Sequence, residues 1–124
     1  MDKVNAVFTL FKNEVESENF FREVKSIDYS GRDFVIFHHT GIKRIYRYAK
    51  SMQYDFELEI YHDDLLKIQS NSDKLKSLIV NTNTSKTLIG VSVVEMIFES
   101  VEFTQIKFQS QTCYLGKIKF SIIM

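Results

Sequence analysis

Two adjoining segments of opposite charge constrain the fold more than any other feature of this chain. From Tyr54 to Ile60, apolar and acidic residues alternate, and the preceding segment, Ile42 to Tyr48, is basic and aromatic. A period of two is typical of a β-strand that buries one face and exposes the other to water. The sequence therefore predicts an antiparallel hairpin in which these two strands pair.

The same alternation predicts how the two strands align. With a turn centred on Met52, Tyr48 faces Phe56 and Arg47 faces Glu57. A shift of one residue would place aromatic side chains opposite carboxylates, so the pattern selects this register. We therefore expect Arg47 and Glu57 to be cross-strand neighbours.

Length and composition favour a single α+β domain over residues 1–124. Hydrophobic residues make up 44% of the chain and charged residues 26%, and both values are ordinary for a globular protein. A chain of this length buries a substantial core. We expect an N-terminal helix packed on an antiparallel, mostly meandering β-sheet, with a helical insertion near residues 63–80.

Periodicity and turn residues predict the elements of the first half. Apolar residues recur at helical spacing over 3–16, and Phe20 and Phe21 fit a further helical turn. Ser30-Gly31 and Thr40-Gly41 have turn composition, so each is expected to reverse the chain. The strands predicted around these turns are 26–29, 33–39, 42–49 and 54–62.

The segment 63–80 is predicted to be helical but broken in the middle. Asp63 or Asp64 can cap a first part, and Asn71 or Ser72 can cap a second part. Side chains of these types accept hydrogen bonds from the free N–H groups at the start of a helix. Two pairs of candidate capping residues therefore indicate two helix starts.

The C-terminal part of the chain is rich in strand-forming residues. Residues 88–98 fit a strand best, although their apolar positions also fit one face of a helix. Further strands are expected at 101–109 and 112–123. The last strand is strongly apolar, so we expect it to lie inside the sheet or to be covered.

The lone cysteine and the absence of recognisable targeting segments narrow the class of protein. Cys113 excludes an internal disulfide and a multi-cysteine metal site, and it favours a reducing compartment. No stretch resembles a signal peptide, and no apolar run approaches the ~20 residues of a membrane span. We expect a cytoplasmic protein without a metal, cofactor or membrane partner.

Two histidines offer the best candidate for an enzyme or ligand pocket. With a turn at Thr40-Gly41, His39 and His62 stand on one face of the sheet, roughly 10 Å apart by interstrand spacing. The distance is long for one metal ion, and the pattern has no known catalytic signature. No glycine-rich phosphate loop is present either, so we expect no catalysis.

The basic aromatic strand is a candidate surface for nucleic acid. Aromatic and cationic side chains on a sheet can stack on bases and contact phosphates. However, the chain has 16 basic and 16 acidic side chains, and zero net charge argues against a dedicated duplex-DNA-binding protein, although it leaves a local basic patch open. The candidate residues are Lys43, Arg44, Arg47 and Lys50.

The acidic residues form the preferred candidate surface. Residues 55–64 carry five acidic and no basic side chains, and such a surface can bind a basic protein. The expected function is neutralisation of a partner protein, as in toxin immunity or phage-encoded inhibition, and a basic toxin or nuclease is a suitable partner. A virion component is a further alternative. The candidate partner-binding residues are Glu57, Glu59, Asp63 and Asp64.

Overall fold

The computed structural model describes residues 3–14, 20–22, 34–44, 51–80, 87–88, 91–108 and 111–124. Within these ranges the chain forms two helices and seven strands. The helices are α1 (Lys3–Glu14) and α2 (Leu65–Val80). The strands are β1 (Phe20–Arg22), β2 (Phe34–Arg44), β3 (Met52–His62), β4 (Thr87–Leu88), β5 (Val91–Ser92), β6 (Glu95–Phe108) and β7 (Gln111–Ile123).

The main sheet has the strand order β1-β2-β3-β7-β6, and β4 pairs with β5 in a separate small ribbon. β2, β3, β7 and β6 are antiparallel to their neighbours, whereas β1 is parallel to β2. The α+β class, the N-terminal helix and the helical insertion are therefore confirmed. Among the described residues, no helix combines the length and the apolar character needed to cross a membrane.

The core lies between the helices and one face of the sheet. β3 directs Phe56, Leu58 and Ile60 to this face, and all three are almost completely buried. The ring of Phe120 on β7 stacks on Phe56 at 5.3 Å, and Phe11 of α1 covers it at 4.9 Å. The alternation that predicted β3 thus also identifies its buried face.

α2 packs so closely on the sheet that one strand position requires glycine. A Cβ atom on Gly116 of β7 would lie 2.9 Å from Cγ2 of Ile68 and 3.4 Å from Cε1 of Phe103. Real Cβ atoms do not approach neighbours to 2.9 Å, so the missing side chain lets the helix approach the sheet.

The predicted turn at Thr40-Gly41 is wrong, because β2 continues through it. A bulge between His39 and Gly41 shifts the pairing by one residue, and β3 remains the partner on both sides. The same small, flexible residues occur in bulges and in tight turns. At a tight turn the chain reverses and pairs with itself, whereas at a bulge the strand continues along the same partner.

The predicted register of the hairpin is also wrong. Glu57 pairs with His38 of β2 instead of Arg47, and Leu58 pairs with Phe37. This register places the apolar start of β2 against the apolar positions of β3, so it buries more apolar area. Arg47, with the rest of residues 45–50, lies outside the described residues.

α2 is one continuous helix, so the predicted break is wrong. Asn71 and Ser72 lie inside the helix and are buried on the side of Ile68 and Leu75. The predicted cap at Asp64 is confirmed, since its Oδ1 accepts a hydrogen bond from the N–H of Leu66 at 3.0 Å. Tertiary burial has outweighed the capping tendency of the two polar residues.

The remaining predictions divide in the same way. The segment Phe20–Arg22 is a strand and not a helical turn. The choice of strand over helix near 88–98 is confirmed, but the segment is not one strand, because its described residues belong to β4, β5 and the start of β6. β6 then continues through a bulge between Phe98 and Ser100 instead of ending at residue 98. The C-terminal strand lies inside the sheet, between β3 and β6, as predicted. The segment 26–29 and the Ser30-Gly31 turn lie outside the described residues.

Candidate functional site: a charged face of the sheet

The face of the sheet opposite the helices carries most of the charged side chains of its four antiparallel strands. Asp55, Glu57 and Glu59 of β3 point to this side because their even-numbered neighbours point to the core. Register places Lys117 and Lys119 of β7 directly beside two of them. We call this surface the charged face; its residues are His38, Lys43, Asp55, Glu57, Glu59, Glu99, Glu102, Lys117 and Lys119.

Charge alternates from strand to strand across this face. β3 contributes acids, β7 contributes lysines, and β6 contributes acids again. Glu57 pairs with Lys119, and Lys117 lies between Glu59 and Glu102. Opposite charges at paired positions stabilise neighbouring strands by about 0.2–1 kcal/mol. The face is therefore mixed in charge, not the uniformly acidic surface that the sequence indicated.

The acidic side chains of β3 make several polar contacts on this face. Glu59 accepts a hydrogen bond from the hydroxyl of Tyr61 at 2.5 Å. Its other oxygen lies 3.1 Å from Nε2 of His38. That nitrogen is not aligned for a hydrogen bond, so the contact contributes mainly through charge when the imidazole is protonated.

A buried hydroxyl links two of the acidic strands. Oγ of Ser121, which is fully buried, lies 2.7 Å from Oδ1 of Asp55 and 2.8 Å from Oε1 of Glu99. One hydroxyl carries one proton, so it donates to one carboxylate at a time. Nε2 of Gln53 donates a second hydrogen bond to Asp55 at 2.9 Å. The cluster therefore fixes the side chains of β3, β7 and β6 relative to one another.

Asp55 is the ionised centre of this cluster. Burial by itself raises the pKa of its carboxyl group, but the hydrogen bonds from Gln53 and Ser121 and the nearby charges of Lys43 and His39 outweigh burial and lower that pKa. Nζ of Lys43 lies 3.8 Å from Oδ2 of Asp55. The carboxylate is consequently a fixed negative charge at neutral pH.

A shallow groove of about 250 Å³ runs beside this cluster. Charged-face residues line it, together with Thr40 and Phe56, and it is open to solvent on one side. Small-molecule sites are mostly concave and apolar. This groove is polar and charged instead, so it does not fit that description.

The structure does not bring His39 and His62 together. His39 pairs with Phe56, whereas His62 pairs with Tyr114, so six residues of β3, or about 20 Å, separate their positions. The predicted placement of these two histidines beside each other is wrong, because it depended on a turn that is absent. Among the described residues, no group of three or more His, Cys, Asp or Glu side chains is placed to hold a metal ion.

The four predicted partner-binding acids form two separate pairs. Glu57 and Glu59 lie on the charged face, whereas Asp63 and Asp64 lie at the turn that joins β3 to α2. Asp64 caps α2, and Oδ1 of Asp63 lies 2.9 Å from Nδ1 of His62. The second pair therefore orders the chain locally, and of the four predicted acids only Glu57 and Glu59 lie on the charged face.

The predicted basic residues are also divided. Lys43 is on the charged face and is 68% exposed. Arg44, the next residue of β2, points to the opposite side of the sheet and is exposed there. Arg47 and Lys50 lie outside the described residues. The described part of this basic strand thus places its two cations on opposite faces.

Sequence reasoning missed the basic half of the charged face. Lys117, Lys119 and Ser121 alternate with buried Ile118 and Phe120 on β7. This alternation is visible in the sequence and indicates that the three polar residues share one face. The sequence does not indicate that β7 pairs with β3. This pairing places the lysines beside acids that are more than fifty positions away in the chain.

Comparisons with known proteins give similarity at the level of the fold. No protein family matches this chain, and no curated protein matches its sequence. Among solved structures, the chain is similar to a chain in the "Virion of native gene transfer agent (GTA) particle". The TM-score is 0.57 at 10% identity, and the match covers 95% of this chain and 84% of the other. The two chains share a fold.

Proposed function

We propose that this protein is a structural subunit that binds other proteins in a virus-like particle, and that it has no catalytic role. The proposal is carried by one observation: nearly the whole chain matches nearly the whole of a chain from a gene transfer agent virion. Because a fold alone does not determine a function, the surface must supply the second support. Assembly in the cytoplasm of the producing cell is part of the proposal.

The charged face is the surface that we assign to particle contacts. Its backbone is held in four hydrogen-bonded strands, so the backbone loses little further conformational freedom when a partner binds. Alternating acidic and basic strands recognise only a partner with the opposite order of charges, and they repel a partner that is shifted by one strand. Such a pattern favours one fixed orientation of the partner relative to this protein, and a particle subunit requires a fixed orientation relative to its neighbours.

The proposal is tested on particles purified from the producing host. We expect quantitative mass spectrometry to find the protein at a fixed ratio to the other particle proteins. Replacing the endogenous chain with Lys119→Gln should reduce its incorporation several-fold, because Lys119 is exposed on the charged face. Lys67→Gln is the matched control, since Lys67 is exposed on α2. Absence of the protein from particles would refute the proposed function.

A second candidate function uses the same face to neutralise a partner protein, as a toxin-immunity protein or a phage-encoded inhibitor does. It is supported by the row of Asp55, Glu57 and Glu59, which suits a basic toxin or nuclease. The partner would form a soluble complex of fixed stoichiometry, not a particle. Reversing Glu57 and Glu59 to lysine should slow association with such a partner. Equal capture by this variant and by the wild-type protein would argue against this function.

A further inference from the structure

β6 is a long edge strand. It spans Glu95–Phe108 and pairs with β7, and it has no partner on its other side among the strands that the structure describes. Beyond the bulge that follows Phe98, the strand runs without interruption from Ser100 to Phe108. An unpaired edge of this length readily accepts another strand.

Backbone pairing identifies which β6 residues are available. Met52 and Met124 exchange both backbone hydrogen bonds at 3.1 Å, so the even-numbered residues of β7 bond to β3 and the odd-numbered ones to β6. The N–H of Val94 accordingly donates to the carbonyl of Ile123 at 2.8 Å. In the register of β6 with β7, the residues whose N–H and C=O groups point outward are Val101, Phe103, Gln105 and Lys107.

The side chains around this edge are unusually accessible. Phe103 is 42% exposed. The next two residues, Thr104 and Gln105, point to opposite faces of the sheet, and both are exposed as well. The run from Phe103 to Ile106 carries no charge, although charged residues are the usual protection of a free edge. Exposed apolar surface beside unpaired backbone groups indicates that another strand covers this edge in the working state.

We propose that β6 pairs antiparallel with β6 of a second copy of this chain, about a two-fold axis at Thr104. This axis pairs Ser100 with Phe108 and so uses the whole run beyond the bulge. It gives about eight intermolecular backbone hydrogen bonds, two for each pair of outward residues. The two five-stranded sheets become one continuous sheet with the helices of both copies on the same side.

The side chains favour a second copy as the occupant. In this pairing Glu102 lies opposite Ile106, and Lys107 lies opposite Val101, so no like charges face each other. The two Phe103 rings become diagonal neighbours on one face, a distance that aromatic side chains span. Pairing with itself therefore covers the exposed ring and avoids repulsion at every position.

The proposal concerns the purified protein and does not depend on the role in particles. We expect a concentration-dependent dimer in analytical ultracentrifugation. Gln105→Pro removes an outward N–H without removing a bond to β7, so it should give a folded monomer by ultracentrifugation and circular dichroism. Gln105→Thr keeps the N–H and is the matched control. A wild-type monomer at all concentrations, or a dimer that survives Gln105→Pro, would overturn the proposal.

Cross-linking tests the position of the axis. Thr104 faces its own copy in a non-hydrogen-bonded pair, where Cα atoms are about 4.5 Å apart, so Thr104→Cys should form an intermolecular disulfide under mild oxidation. The experiment uses a Cys113→Ala background. Ile106→Cys is the control, because its copies would be about 14 Å apart along the strand and should not link. Faster linking through residue 106 than through residue 104 would refute this axis.

Discussion

The substitution Gly116→Ala provides a test in which packing and chain entropy predict opposite changes in the stability of the folded protein. A glycine-to-alanine change at a strand position with an ordinary backbone stabilises a protein by about 0.4–1 kcal/mol, because the unfolded chain loses freedom. At Gly116 the added Cβ would lie 2.9 Å from Cγ2 of Ile68, which is fully buried and branched at Cβ. This close contact can therefore be relieved only by a shift of α2 or of β7.

Overpacking of this kind costs about 1–3 kcal/mol. Subtracting the entropic gain leaves an expected net loss of roughly 0–2.6 kcal/mol for Gly116→Ala. Urea unfolding followed by circular dichroism measures this difference from the shift of the midpoint at constant m-value.

A double-mutant cycle with Ile68→Ala separates the close contact from other effects. Ile68→Ala alone should cost about 2–5 kcal/mol, since it empties a fully buried site. In that background Cγ2 is gone, so Gly116→Ala should be neutral or stabilising. The reasoning is refuted if Gly116→Ala stabilises the wild-type protein, or if its cost is the same in both backgrounds.

Three further predictions follow from the site and the helix cap. Because the pKa of Asp55 is lowered in the folded state, its contribution to stability is complete above the unfolded value of about 3.9 and is lost as pH falls through the lower folded value. Asp55→Asn should therefore flatten the acid limb of a stability–pH curve; an unchanged limb would contradict the assignment. Asp64→Ala should lower the free energy of unfolding by about 1 kcal/mol, since α2 loses its cap; an unchanged urea midpoint would contradict this. Fluorescence anisotropy should show weak, salt-sensitive nucleic-acid binding, because net charge is zero; sub-micromolar binding at physiological salt that Lys43→Glu abolishes would contradict it.

Patterns confined to one segment were predictable from the sequence. The alternation that begins at Tyr54 correctly indicates β3 and its buried face, and the strand predicted at 33–39 corresponds to the first part of β2. The cap at Asp64 was predictable because its side chain bonds to the backbone only two residues further along the chain. In each case local chemistry alone decides the outcome.

Features that depend on distant partners were not predictable. Thr40-Gly41 has the composition of a turn, yet pairing with β3 on both sides keeps β2 extended. Asn71 and Ser72 have capping side chains, but burial against the core keeps them inside α2. The charged face needs β7 beside β3, a pairing between residues far apart in the chain. Sequence periodicity gives the face of a residue, but it does not give the strand beside it.

The two proposed surfaces have a geometric consequence when they are considered together. Pairing through β6 has its two-fold axis perpendicular to the sheet, so the charged faces of both copies lie side by side and point the same way. A partner array with matching spacing would then bind both faces at once, and the second contact would benefit from a high effective concentration. Gln105→Pro, which changes no residue of the charged face, should therefore weaken incorporation into particles more than it weakens binding to one isolated partner. Equal losses in the two assays would show that the surfaces act independently.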